Sequence, residues 1–283
     1  MQIPYIEGEY RPLFRPEKYG KYINDHCLVR HEDGWHLFGI SSATGNPPDE
    51  RYFIHAKGES MTGEMQEIRK DIDKGTLAWS PCVVRHDDGF YYMFYGPSPT
   101  SMAVSPDLFE WFGYPVSIEN EPIMAMHRDH FIRRDESGEY FMYVTGVKDK
   151  RGCISVASSF DLIHWTFRGY ALTSGERAPL TPAWGAMESP FIVKRGEWFY
   201  LFVTYTDCAD ANYNDTLVFA SKDALNFGCY MGDENEAVPV TTLYAHAPEV
   251  IEEDGKTYIT TCGWHSKPNP NPGCVSVAEL KWK

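Results

Sequence analysis

Three acids stand at the openings of look-alike segments in this chain: Asp25, Asp129 and Glu188. Each is followed by an apolar run, a charged turn containing Gly, and a second run rich in aromatics. Carboxyl groups gathered at one place raise one another's pKa, so a set of them can divide protonated and ionised roles. Arg128, beside Asp129, would keep that neighbour ionised. Glu188 lies among Met187, Ser189, Pro190 and Phe191, an apolar setting that suits a protonated acid. Asp25 is then the candidate anion. Taken singly, each acid reads as a solvated strand end, because Asp and Glu are mostly surface residues. Their shared place in a repeat makes them candidates for chemistry.

The repeat has to bring them together. Copies begin near residues 25, 80, 129, 188 and 249, at steps of 55, 49, 59 and 61 residues. That is close to the blade period of propellers, about 40–50 residues, with longer loops. Each copy reads as a hairpin, its polar turn closed by a residue that tolerates positive φ: Gly34, Gly89, Gly138, Gly196 and Gly255. A further strand of shared form, with Ser and Asp ahead of an aromatic, follows at 101–111, 153–165 and 217–227. One hairpin cannot bury both of its faces, whereas four-stranded sheets stacked around an axis can. The expected fold is therefore all-β: a five-bladed β-propeller of four-stranded antiparallel blades, a single domain over residues 1–283.

In such a fold the first strand of each blade lines a central channel, and the opening residues meet there. That adds Ser80 and Glu249 to the site. Asn24, Arg128 and His246 stand beside opening positions, and Trp79 and Trp184 are candidate aromatic walls. His246 reads first as a hydrogen-bonded structural histidine. Trp35, Trp111, Trp165 and Trp198 recur at blade positions as core. Asp33, Asp88 and Asp254 precede Gly and form turns. Residues 1–20 read as a lead-in that packs on the propeller or closes the last blade. Residues 41–51 and 171–187 read as loops, 60–75 as a short helix or turn, and 275–282 as the last strand.

Composition narrows the partners. The chain of 283 residues has a formal charge of -14 and is 43% hydrophobic. Such an acidic protein repels phosphate backbones and anionic bilayers, so neither nucleic acid nor a membrane is expected. The seven cysteines are odd in number and show no zinc spacing; Cys27, Cys82 and Cys153 fall inside apolar runs. No basic segment followed by an apolar run opens the sequence, and no long apolar span follows. The expectation is a cytoplasmic protein that requires no cofactor and has no assigned metal ligands. The sequence is silent on oligomeric state.

Several of these segments resemble the invertase-like enzymes of glycoside hydrolase family 32 and their relatives in family 43. Asn24-Asp25 before an apolar strand resembles the first-blade motif of family 32. Trp79-Ser80 is similar to second-blade segments of both families. Arg128-Asp129 is similar to the Arg-Asp-Pro motif, with His130 in place of Pro, and Glu188-Ser189-Pro190 to the Glu-Cys-Pro motif, with Ser189 in place of Cys. The resemblance implies a furanosidase-like propeller acting on a small carbohydrate. It implies Asp25 as nucleophile or base, Asp129 as the acid that holds the sugar or tunes the pair, and Glu188 as general acid. His246-Ala247-Pro248-Glu249 is similar to the fifth-blade His segment of family 43, which in some members lies near an axial structural ion. His26 stands where family 32 usually has Pro, and the β-sandwich that typically follows the propeller there has no counterpart in this sequence. Two rivals stand beside the hydrolase reading. One is a glycoside phosphorylase on the same fold, for which His127, Arg128 and His130 hint at a phosphate subsite. The other is a non-catalytic sugar-binding propeller.

Overall fold

The computed structural model describes residues 1–283 except 74, 123–124, 182–185, 207–212 and 267–268, and the side chains of residues 125 and 126. It is a β-propeller of mainly antiparallel sheets, with one short 3-10 turn, Pro47–Asp49, among the described residues. Among the described residues no helix is long and apolar enough to cross a membrane.

Each repeat supplies one sheet, built outward from the strand that carries the opening residue. The first sheet orders Asn24–His31, Gly34–Ser41, Tyr52–Gly58 and Gln66–Asp71. The second orders Trp79–Arg85, Tyr91–Gly96, Ser101–Ser105 and Phe112–Tyr114. The fourth repeat orders Met187–Arg195, Trp198–Tyr205, Asp215–Ser221 and Thr241–Tyr244. The third repeat departs from this plan. Its strands Ala125–Arg134, Tyr140–Lys148, Arg151–Ser159 and His164–Ser174 continue through Cys229–Tyr230 and Glu236–Ala237, and Ser117–Glu119 also joins it, giving seven strands. The expectation of a five-bladed propeller of four-stranded blades is thus corrected: the propeller has four regular four-stranded blades, and the third repeat instead forms part of a seven-stranded sheet. Short parallel pairings from neighbouring loops extend it.

The last sheet orders Val250–Glu253, Lys256–Thr261 and Val275–Trp282, and its outer strand is Pro4–Phe14 from the other end of the chain. The N-terminal lead-in therefore closes the last sheet. Residues 60–75, expected as a helix or turn, contain the strand Gln66–Asp71 instead. Its partner Tyr52–Gly58 offers an unpaired edge, and pairing with it outweighs the local helical tendency.

Both faces of each sheet are covered, because alternate side chains along a strand point to opposite sides. In the first sheet Leu28, Leu37 and Ile54 pack against Ile251, Tyr258 and Val277 of the last sheet. Their neighbours Cys27, Phe38 and Phe53 pack against Tyr91, Met93 and Ala103 of the second. Three more clusters join the second sheet to the third, the third to the fourth and the fourth to the last, closing a ring. The Ser-x-Asp motif is a capped turn. Ser159 Oγ accepts from the Asp161 and Leu162 amides, Asp161 Oδ1 accepts from the Ile163 and His164 amides, and the Trp165 indole donates to the Leu162 carbonyl. Ser105, Asp107 and Trp111 repeat the pattern. Trp165 is fully buried and Trp35 nearly so, while Trp111 and Trp198 are half-buried against the core.

Candidate active site

The channel end of every repeat carries the same backbone irregularity. Asp25, Ser80, Asp129, Ser189 and Ala247 all have positive φ, between 34° and 56°. In the first four repeats this residue falls within a register shift of the opening hairpin. A bulge of this kind bends the strand and breaks the alternation of side chains. Non-glycine residues in this region cost about 1–3 kcal/mol each, and such residues cluster at functional sites. All five line one axial cavity, together with His26, His130, Phe131, Phe191 and Glu249.

This geometry refines the repeat. Asp25, Ser80 and Asp129 occupy equivalent places, but Glu188 stands one residue earlier, in the place of Asn24, Trp79, Arg128 and His246. Glu249 stands two residues beyond the equivalent position of its own repeat. The five opening residues are therefore not one ring of equivalent side chains; the bulge lets two adjacent residues reach the axis. Arg128 and Asp129 both do so, and between them they touch Glu188 and Ser189.

Asp129 and Glu188 share one guanidinium, and Asp25 lies close enough to feel the charges of all three. Arg128 Nη2 lies 2.7 Å from Glu188 Oε1, and Arg128 Nε lies 3.5 Å from Asp129 Oδ2. The Ser80 hydroxyl donates to Asp129 Oδ1, and the Ser189 amide donates to Asp129 Oδ2 at 3.1 Å. Tyr213 donates its hydroxyl to Glu188 Oε2 at 2.9 Å. The Asn24 amide donates to Asp25 Oδ2 at 3.1 Å, and His246 Nε2 stands 3.9 Å from Asp25 Oδ1. Gly96 makes room for this arrangement, since a Cβ there would lie 3.0 Å from that of Arg128.

Burial pushes the Glu188 carboxyl up to about 7, with Arg128 and Tyr213 pulling the other way. Burial, then the charges of Asp129 and Glu188, push Asp25 well above the ordinary carboxylate range. In the free site burial and then the charges of Asp129 and Glu188 pull Asp25 toward its protonated form, against the expectation of an anion there, while burial pulls Glu188 toward the protonated form expected of it. Burial also pushes Glu249 up to about 8, and the Leu28 amide donates to its Oε2 at 2.7 Å.

Trp79 is half-buried at the channel end of the second repeat. Trp184 lies outside the described residues. His246 stacks near Tyr213 and Trp264, with ring centroids 4.8 Å and 5.5 Å away, and its Nδ1 pairs with the Cys262 carbonyl at 3.0 Å. Asp25, His246 and Cys262 offer ligand atoms within 4.8 Å of one another, the one group at the channel with the composition to hold an ion among the described residues. The basic trio of the third repeat is engaged elsewhere as well: His127 Nδ1 pairs with Glu121 at 2.7 Å, and His130 Nε2 with Thr100 at 2.9 Å.

Sequence reasoning missed two members of the site. Glu50, in the loop after the second strand, is buried and accepts from the Tyr22 hydroxyl at 2.7 Å and the Trp264 indole at 2.9 Å. Burial raises its carboxyl, hydrogen bonds from Tyr22, Trp264 and Trp79 hold it back, and its charge in turn acts on Asp25. Tyr213 stands between the strands Trp198–Tyr205 and Asp215–Ser221 of the fourth repeat. Neither belongs to the repeating hairpin, so no periodic signal marks them.

No family model matches the sequence, and no curated protein matches it. Solved structures do. An exo-1,5-α-L-arabinanase from a bovine ruminal metagenomic library superposes with a TM-score of 0.60 at 16% identity, covering 94% of this chain and 95% of the other. A family 32 β-fructofuranosidase from Bombyx mori gives a TM-score of 0.67 at 18% identity; the match covers 97% of this chain but only 63% of that enzyme. The catalytic domain of a family 62 α-L-arabinofuranosidase from Coprinopsis cinerea gives 0.65 at 12% identity, with 98% and 97% covered. These likenesses establish the fold, the propeller on which those glycoside hydrolases are built.

Proposed function

We propose that this chain is a glycoside hydrolase that cleaves the terminal bond of a small oligosaccharide or glycoside. The observation that carries the reading is that Asp25 and Asp129 line one axial cavity while Arg128 ties Asp129 to Glu188. The fold neighbours are named for arabinan, arabinofuranosides and fructofuranosides, which favours a furanoside or pentoside. In this reading the seven-stranded sheet serves as a fifth blade, and residues 1–283 work as one catalytic domain. The six described cysteines are free thiols, which suits a reducing compartment, and we place the enzyme in the cytoplasm.

Glu188 is the general acid. With its pKa raised by burial to about 7, a large share of the molecules keep the Glu188 proton at neutral pH, and that proton passes to the leaving oxygen as the glycosidic bond breaks. Asp25 acts in its ionised form, having released its proton to solvent before the bond breaks, and stabilises the positive charge that grows on the anomeric carbon. It then attacks that carbon, or takes a proton from the water that does. Ser80, Ser189 and Arg128 fix Asp129, which accepts sugar hydroxyls and tunes its two neighbours. The Asn24-Asp25 resemblance favours attack, hence retention. Trp79 and Trp264, both half-buried beside Glu50, serve as the wall for the sugar face, with Glu249 bordering the cavity and Asn24 and His246 set against Asp25. No cofactor is needed for these steps. The phosphorylase alternative draws on His127, Arg128 and His130, whose side chains already hold protein partners.

The test is a panel of aryl glycosides, with fructofuranosyl, arabinofuranosyl, xylosyl and galactofuranosyl leaving pairs, assayed with and without phosphate. Asp25→Asn and Glu188→Gln are each expected to lower turnover by about 10²–10⁴-fold. Turnover that survives both substitutions refutes the site, and turnover that requires phosphate replaces the hydrolase with the phosphorylase.

A further inference from the structure

The strand that carries Asn24 and Asp25 ends at His31, in the turn of the first hairpin. A second set of ionisable side chains lies there, and the glycosidase reading makes no use of it. His31 Nδ1 is 2.5 Å from Asp33 Oδ1, and His36 Nε2 is 2.9 Å from the same oxygen. All three atoms lie within 4.8 Å of one another. His36 is fully buried, whereas His31 and Asp33 are 26% and 42% exposed, so the focus of the three opens to solvent.

Behind His36 runs a chain of hydrogen bonds that sets its tautomer. His36 Nδ1 pairs with His55 Nε2 at 2.7 Å, and His55 Nδ1 pairs with Asp71 Oδ2 at 3.1 Å. The other oxygen of Asp71 holds Arg69 Nε at 2.9 Å. A carboxylate only accepts, so His55 carries its hydrogen on Nδ1, and its Nε2 accepts from His36 Nδ1. His36 Nε2 then points at Asp33 Oδ1, with His31 Nδ1 beside them, so three ligand-type atoms converge on one point that opens to solvent. A histidine oriented through its far nitrogen by a carboxylate-backed partner is also the usual outer support of a metal ligand.

We propose that His31 Nδ1, Asp33 Oδ1 and His36 Nε2 bind one divalent transition-metal ion of the zinc class. Two imidazoles and one carboxylate suit zinc, cobalt, nickel or copper rather than calcium or magnesium. Bonds of about 2.0–2.2 Å in a tetrahedron set ligand atoms roughly 3.3 Å apart, so His31 and His36 need to draw back from Asp33 by less than about 1 Å. Lys57 Nζ holds Asp33 Oδ2 at 2.6 Å and leaves Oδ1 for the ion. Its charge, and that of Arg69 farther back, weaken the site; Asp33 and Asp71 offset them. The fourth position faces solvent and takes water. The ion would clip the two innermost strands of the first sheet at the end remote from Asp25.

Zn²⁺ binding is measured by calorimetry, and Co²⁺ binding by its visible d–d absorption, on the wild type, His31→Ala, Asp33→Asn and Asp25→Asn, each checked for folding by circular dichroism. One equivalent is expected to bind the wild type with a tetrahedral Co²⁺ spectrum. Affinity should fall at least about ten-fold in His31→Ala and in Asp33→Asn and stay unchanged in Asp25→Asn. No binding by the wild type overturns the proposal. Binding that survives His31→Ala does so too, as does binding lost in Asp25→Asn, which would put the ion in the channel. None of these readouts depends on glycoside turnover.

Discussion

Glu249→Gln is a stringent test of the electrostatics around the channel. The Glu249 carboxyl has the Leu28 amide as its hydrogen-bond donor, and burial lifts it from 4.5 to about 8. A carboxyl whose pKa is raised on folding is favourable below its unfolded value and loses that advantage as pH rises towards the folded one. Between pH 4.5 and 7 the window is about 2.5 pH units, worth about 3 kcal/mol at about 1.4 kcal/mol per unit. The residue borders the cavity and is only partly buried, so water screening reduces this to about 2 kcal/mol. Glutamine keeps an oxygen for the Leu28 amide and carries no charge. The variant should therefore match the wild type near pH 4.5 and exceed it by about 2 kcal/mol at pH 7. Urea titrations at several pH values, with m compared between the two proteins, measure this directly. A stability gap that does not change with pH refutes the reasoning. So does a variant less stable than the wild type at pH 7, which would mean that Glu249 is ionised in the fold and held by a cation.

Tyr213→Phe removes the hydroxyl that stabilises ionised Glu188 while keeping the ring beside His246 and Trp264. The alkaline limb of kcat/KM on whichever aryl glycoside is turned over should move up by about 1 pH unit, and a downward shift would contradict Glu188 as the acid. Arg128→Met leaves Asp129 and Glu188 buried without their cation. Thermal or urea unfolding at pH 7 should show a loss of about 3–5 kcal/mol, shrinking as the pH is lowered and the carboxyls take up protons.

The architecture was legible because its signal repeats. Hairpins such as Cys27–Phe38 and Ile192–Leu201 place apolar side chains on both faces, and that pattern recurs wherever a sheet is covered on both sides. Asp25, Asp129 and Glu188 were legible because they open those hairpins. What the sequence hid is local in a different sense. The bulge that shifts Glu188 by one place relative to Asp129 depends on a φ value, and Ser80, Ser189 and Ala247 carry no residue signature for it. Glu50 and Tyr213 reach the site from loops whose paths are set by the packing of neighbouring sheets. The seven-stranded sheet arose from two-residue and three-residue pairings too short to leave a pattern. The upward pull on the Asp25 pKa comes from burial and then from the charges of Asp129 and Glu188, which no single segment contains.

The pairing of Pro4–Phe14 with Val275–Trp282 sets the timing of folding as well as the shape of the ring. During synthesis the first strand has no partner until the last has left the ribosome. At about 5–20 residues per second that is a wait of roughly 15–55 s. Until then the apolar edges of the last sheet and of the first, Leu13 and Ile251 facing Leu28 and Leu37, lack each other's cover. Contacts this distant in sequence also make closure the slow step of refolding. The interval before the clasp shuts is when this protein is most exposed to aggregation, and a chaperone that shields those edges would raise its yield more than one acting on the completed ring.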